Sequence, residues 1–125
     1  MEEPLEVEAF DTETHLFAPG RMAPRIVCVT EASRSRGVSL YDRPSGLARM
    51  TEALESAAEG RSIFAGHFIG YDMACALEHA STQPNPRLAS AIWRAYDSLN
   101  VHCTKMRERL IDIARGSRFD INDSG

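Results

Sequence analysis

Asp11-Thr12-Glu13-Thr14 places two carboxylates two residues apart near the start of the chain. In a strand, residues i and i+2 point the same way, so both acids would aim at one spot. Two hard oxygen ligands side by side suit Mg²⁺ or Mn²⁺. The plain alternative is a strand end with two solvated acids. Two features weigh against it: Asp11 and Glu13 share the parity of apolar Leu5, Val7 and Ala9, and residues 1 to 20 contain no Lys or Arg. Clustered acids without counterions repel one another, and a bound cation relieves that repulsion. A second passage, Ala65-Gly66-His67-Phe68-Ile69-Gly70-Tyr71-Asp72, ends an apolar run in glycine and sets an acid at the mouth of the next element. Taken alone, Asp72 reads as a helix cap, its charge facing orphan amides and the helix dipole. Beside a strand-end acid pair, it also reads as the third carboxylate of a metal site built around a sheet.

The elements that must position these residues follow from periodicity. Residues 5 to 13 alternate with period two, a half-buried strand. Ala18-Pro19-Gly20 through Pro24 breaks regular structure. Ile26 to Thr30 and Val38 to Tyr41 read as two more strands, joined by a turn over Arg34 to Gly37. Leu47, Met50, Leu54 and Ala57 or Ala58 then recur at helical spacing, with Gly60 at the stop. Ser62 to Ala65 is a short buried strand ending at Gly66, followed by a helix from about Tyr71-Asp72 to Ala80 and a loop from Gln83 to Pro86. Leu88, Ile92 and Ala95 mark a third helix, Val101 and Cys103 a strand, and Met106, Leu110 and Ile113 a last helix closed by Gly116. Short connections at the start predict antiparallel pairing, and strand-helix alternation later predicts parallel pairing. The expected fold is α/β: a mixed sheet, hairpin strands first and parallel strands after, with helices on its faces. An ordered core over 1–116 and an unanchored tail over 117–125 are expected.

Composition narrows the function classes. The 125 residues carry 14 Lys+Arg and 18 Asp+Glu, a net charge of −4, which argues against coating nucleic acid by bulk charge. Residues 1 to 13 hold six of the acids and no base, whereas Arg87 to Arg118 holds a positive excess that could form a DNA-facing wall or a solvated surface. Cys28, Cys75 and Cys103 are too far apart for a Cys-x-x-Cys site or a disulfide framework, which fits a reducing, cytoplasmic setting. No basic leader or membrane-length apolar run is evident. Neither a P-loop, Gly-x-Gly-x-x-Gly nor Gly-x-Ser-x-Gly occurs. His15, His79 and His102 have no partner at metal-ligand spacing and read as surface or satisfied core residues. Trp93 and Tyr96, at i and i+3, read as core or groove packing.

Phe10-Asp11-Thr12-Glu13-Thr14 followed by Gly66-His67-x-x-x-Tyr71-Asp72 resembles the first two motifs of the DEDD (DnaQ-like) 3′-5′ exonucleases, in particular the proofreading domain of phage-type family A DNA polymerases. Phe17-Ala18-Pro19-Gly20, Ala23-Pro24-Arg25-Ile26-Val27-Cys28, Val101-His102-Cys103-Thr104-Lys105 and Leu110-Ile111-Asp112-Ile113-Ala114 extend the similarity over nearly the whole chain. The resemblance implies a ribonuclease H-like fold and hydrolysis of the 3′-terminal phosphodiester of DNA to nucleoside 5′-monophosphates. It implies two divalent metal ions, Mg²⁺ or Mn²⁺, held by Asp11, Glu13 and Asp72 as the catalytic acids. Thr12, Thr14, His67, Phe68 and Tyr71 would lie along a single-stranded 3′ end. A polymerase domain in the same or a neighbouring polypeptide would be the partner, in the bacterial host cytoplasm if the gene is phage-borne, with no membrane involved.

The sequence departs from the family at three places. Phe68 stands where motif II usually has Asn, and packing is its expected role over base stacking. Cys103 stands where relatives tend to have Asp, and reads as a core position. The third motif, Tyr-x-x-x-Asp or His-x-x-x-x-Asp on a later helix, has no full version; Phe119-x-x-x-Asp123 has the spacing without the hydroxyl. The chain therefore reads as the N-terminal part of an exonuclease domain, ending before motif III and weak or inactive alone. A non-catalytic module of the same fold, holding single-stranded DNA or docking a polymerase, is the alternative, and a ribonuclease of the same superfamily is a third.

Overall fold

The order of elements follows the periodicity closely. A computed structural model describes residues 4 to 116. Three strands come first, β1 (Glu6–Thr14), β2 (Ile26–Ser33) and β3 (Gly37–Asp42), then α1 (Arg43–Ala58), β4 (Ser62–Gly66), α2 (Ile69–Thr82), α3 (Pro86–Asp97), β5 (Val101–Cys103) and α4 (Thr104–Ala114). The five strands form one sheet in the order β3-β2-β1-β4-β5. β2 runs antiparallel to β1 and β3, and β4 runs parallel to β1 and β5. This is the mixed sheet expected, hairpin strands first and parallel strands after, flanked by helices. The 117–125 segment, with Phe119 and Asp123, lies outside the described residues. Among the described residues no helix is long and apolar enough to cross a membrane.

Local chemistry sets the helix starts. The Asp42 carboxylate accepts the Ser45 amide at 2.9 Å, and Pro44 occupies the first turn of α1; Asn85 and Pro86 repeat the device on α3, with the Leu88 amide at 3.1 Å. Each proline sits where its missing N–H would have had no helical partner. α1 then buries Leu47, Met50, Leu54 and Ala57, and α3 buries Leu88, Ala91, Ile92 and Ala95. The α1 stripe closes over the sheet, where the rings of Phe10 and Phe64 stack 4.8 Å apart on adjacent strands, and α3 packs against α1 and α2. Trp93 lies off the α3 stripe and is exposed, so of the expected core or groove packing the core is ruled out for it; Tyr96 does pack against the core.

The buried face of β1 is the reverse of the one its apolar residues suggest. Glu8, Phe10 and Thr12 are buried, whereas Leu5 and Val7 are exposed. Glu8 can face inward because Arg49 of α1 reaches it and, at 2.9 Å, also reaches the fully buried Glu31 of β2. Tyr41 donates its hydroxyl hydrogen to Glu31 at 3.0 Å. One guanidinium thus compensates two buried carboxylates that would otherwise be untenable. The opposite face stays open: Asp11 aligns with Thr30 and Leu40, and Ala9 with Ala32 and Val38, across β1, β2 and β3. α4 has the expected apolar spacing, but none of its residues is buried, and Met106, Leu110 and Ile113 are exposed.

Candidate functional site

The site forms where β1 outruns its neighbour. β1 pairs with β4 only as far as Ala9–Ala65, but pairs with β2 through Thr14. Phe10 to Thr14 therefore have a free flank beyond the end of β4, and the first turns of α2 fill it. Gly66 makes the turn into α2 possible by close approach: a Cβ there would lie 2.5 Å from Ile69 Cδ1 and 3.1 Å from the Phe10 carbonyl oxygen. Glycine alone fits this gap without Ile69 or the Phe10 carbonyl having to shift.

Asp72 crosses the gap. Its Oδ1 accepts the Thr12 amide at 3.3 Å and also the Thr12 hydroxyl, and both residues are buried. The helix-cap reading of Asp72 is thereby corrected: the cap position is Phe68, which makes no side-chain cap bond, and the carboxylate is spent on β1. Beside this pair, the Tyr71 and Thr14 hydroxyls are hydrogen-bonded at 2.8 Å. Motifs I and II are thus tied twice, through Thr12–Asp72 and Thr14–Tyr71. Phe17 meets the Tyr71 ring edge-on at 6.4 Å.

The electrostatics of Asp72 reflect its position. Burial pushes its carboxyl up to about 6, hydrogen bonds from Thr12 pull it down, and the charges of Asp11 and Glu13 raise it further. All three acids therefore share one electrostatic neighbourhood. Asp11 and Glu13 are exposed on the open side of β1, while Asp72 faces the buried side. Their donor chemistry fits a divalent ion, because each acid disfavours the ionised form of Asp72 and a cation would reverse that. They are not drawn into a preformed cage: among the described residues no group of three His, Cys, Asp or Glu could hold a metal as it stands.

The rest of motif II faces outward. His67 is exposed, its Nδ1 3.0 Å from the Thr104 hydroxyl. That contact links the β4–α2 turn to the start of α4. Phe68 is 54% exposed, with the Lys105 ammonium 4.8 Å above its ring, so its expected packing role is corrected. It also holds a left-handed backbone, φ 61, which is unfavourable for a bulky residue. Cys103 is half-buried at the start of α4 and packs against the core.

Sequence reasoning missed Arg49 as the counterion of Glu8 and Glu31, which come from three separate elements. It missed Lys105 over Phe68, and also the grouping of Arg21, Arg25 and His79. A strand glutamate on the parity of Phe10 was the available signal for the first; the others depend on tertiary contact alone.

No protein-family model matches the chain, and no curated protein matches it. Among solved structures the chain is similar to the crystal structure of the Aedes aegypti Nibbler EXO domain, with 13% sequence identity and a TM-score of 0.48. The match covers 95% of this chain and 55% of that one, so this chain spans about half that length. The likeness is one of overall shape and assigns no residue a role.

Proposed function

We propose that the chain is part of a metal-dependent 3′-5′ exonuclease of the DEDD (DnaQ-like) type, a proofreading domain acting on the single-stranded DNA 3′ end presented by a phage-type family A polymerase domain. The observation that carries this reading is the bonding of Asp72 to Thr12, which joins the two motifs and keeps Asp72 within the field of Asp11 and Glu13. Asp11, Glu13 and Asp72 would hold two divalent ions, Mg²⁺ or Mn²⁺. When bound, such ions lower the pKa of an attacking water and stabilise a departing 3′ oxygen. Thr12 orients Asp72, the Thr14–Tyr71 pair braces the strand end, and His67 and Phe68 stand at the mouth to meet the substrate.

A second reading, a module that holds single strands without cutting them, is favoured by the exposed Phe68 ring, since aromatic faces stack on any base. A 5′-labelled single-stranded oligodeoxynucleotide incubated with Mn²⁺ separates the two. The exonuclease reading expects slow stepwise shortening from the 3′ end, abolished by EDTA and by Asp11→Asn. Binding without shortening supports the second reading. Equal cleavage by wild type and Asp11→Asn removes the assignment.

A further inference from the structure

The passage between β1 and β2 lies against the C-terminal half of α2, and the two enclose a cavity of about 150 Å³ lined by Arg21, Arg25, Cys75, His79, Thr82 and Gln83. A water molecule's share of liquid volume is about 30 Å³, so the cavity has room for a tetrahedral oxyanion. No carboxylate lines it. Among the described residues neither Arg21 nor Arg25 is ion-paired with an acid. The Nε of Arg21 is buried without a hydrogen-bond partner. Such a donor is unfavourable until something accepts from it.

These arginines are not needed to cap α2. The Glu78 carbonyl accepts the Thr82 hydroxyl, the His79 carbonyl accepts the Gln83 amide, and the Ala80 carbonyl accepts the Asn85 amide. These carbonyls at the helix end are satisfied from within the chain, and no guanidinium is among their donors. Arg43 adds to the positive field: after burial, the charges of Arg43 and Arg25 hold His79 below its usual range. A small cavity with two arginines unopposed by acids, under a third, selects a compact anion.

We propose that this pocket binds a phosphate group, and that the phosphate is a phosphodiester of a strand whose 3′ end lies at Asp11, Glu13 and Asp72. The pocket stands on its own residues; its assignment to a strand rests on the exonuclease reading. His79 is seven residues beyond Asp72 on α2, about 10 Å along the axis. A stacked strand covers that distance in about three nucleotides. Free phosphate or a mononucleotide offers the same oxyanion, and the test separates these sources.

The test is a ¹H–¹⁵N NMR titration of the metal-free chain, in EDTA, with inorganic phosphate, thymidine 5′-monophosphate and hexathymidylate. Phosphate is expected to shift the Arg21, Arg25 and Gln83 amides and the His79 ring, and Arg25→Gln to weaken binding about tenfold, the loss of one charge-assisted bond. Asp11→Asn should leave phosphate binding unchanged, so a failed metal site and a failed pocket give different results. Hexathymidylate should displace phosphate at lower concentration than the mononucleotide does. Displacement by the mononucleotide alone overturns the strand assignment. No shift at these residues with any of the three, or equal phosphate binding by wild type and Arg25→Gln, overturns the pocket.

Discussion

Replacing Asp72 by Asn tests whether the carboxylate is an electrostatic burden that the fold carries. Asn keeps an acceptor for the Thr12 amide and hydroxyl but removes the charge. The Asp72 carboxyl rises from an ordinary 3.8 to about 6 on folding, chiefly through burial. Each tenfold change in proton affinity is about 1.4 kcal/mol, so ionised Asp72 costs the folded state about 3 kcal/mol. The sign is set by which state binds the proton more tightly. Well below pH 3.8 the group is neutral folded or unfolded and costs nothing; the cost grows as pH rises from 3.8 to about 6, where the unfolded chain has lost the proton and the folded one still holds it, and is complete above that. Asp72→Asn is therefore expected to be more stable than wild type at pH 8 by up to about 3 kcal/mol, a shift of roughly 1–3 M in urea midpoint. The difference should shrink to about 0.5 kcal/mol near pH 4. Saturating Mn²⁺ should narrow it at pH 8, because a cation favours the ionised form. Urea unfolding followed by circular dichroism, at both pH values, with and without Mn²⁺, measures all of this. A variant no more stable than wild type at pH 8, or a difference independent of pH, would refute the reasoning.

Arg49→Ala leaves the Glu8 and Glu31 carboxylates buried without their cation and should lose about 3–5 kcal/mol in the same urea assay; a loss under 1 kcal/mol would contradict the account of the inverted β1 face. Gly66→Ala should lose about 1–3 kcal/mol, since its Cβ would crowd Ile69 and the Phe10 carbonyl, and an unchanged midpoint would show that the β4–α2 turn yields. Phe68→Asn should gain about 1 kcal/mol, because Asn tolerates the left-handed backbone that Phe68 adopts. The same variant should bind single-stranded oligonucleotide more weakly by fluorescence anisotropy, and equal affinity would remove Phe68 from the substrate surface.

Most of the architecture was legible because it is local. Alternation over 5 to 13, the Asp42–Pro44 and Asn85–Pro86 starts, and the glycine stops each follow from a few neighbouring residues. The strand pairing followed from connection lengths. The inward face of β1 was not legible, since Leu5 and Val7 outweigh Glu8 until Arg49, 41 residues later, is brought across. The true partner of Asp72 was equally illegible from its neighbours, which suggest a cap: the Thr12 groups that claim it are 60 residues away. Phe68 read as a packing residue because its type says so, yet a left-handed turn at the end of β4 turns it outward. In each case a contact between distant elements decides against the local preference.

Calorimetric titration of Mn²⁺ into the chain at pH 7.5 tests most directly whether Asp11, Glu13 and Asp72 form one cation site. Wild type should bind, and Asp11→Ala and Asp72→Asn should each weaken binding by at least about tenfold, the loss seen even when an outer-shell partner of a metal site is removed. Equal binding by wild type and both variants would contradict the account.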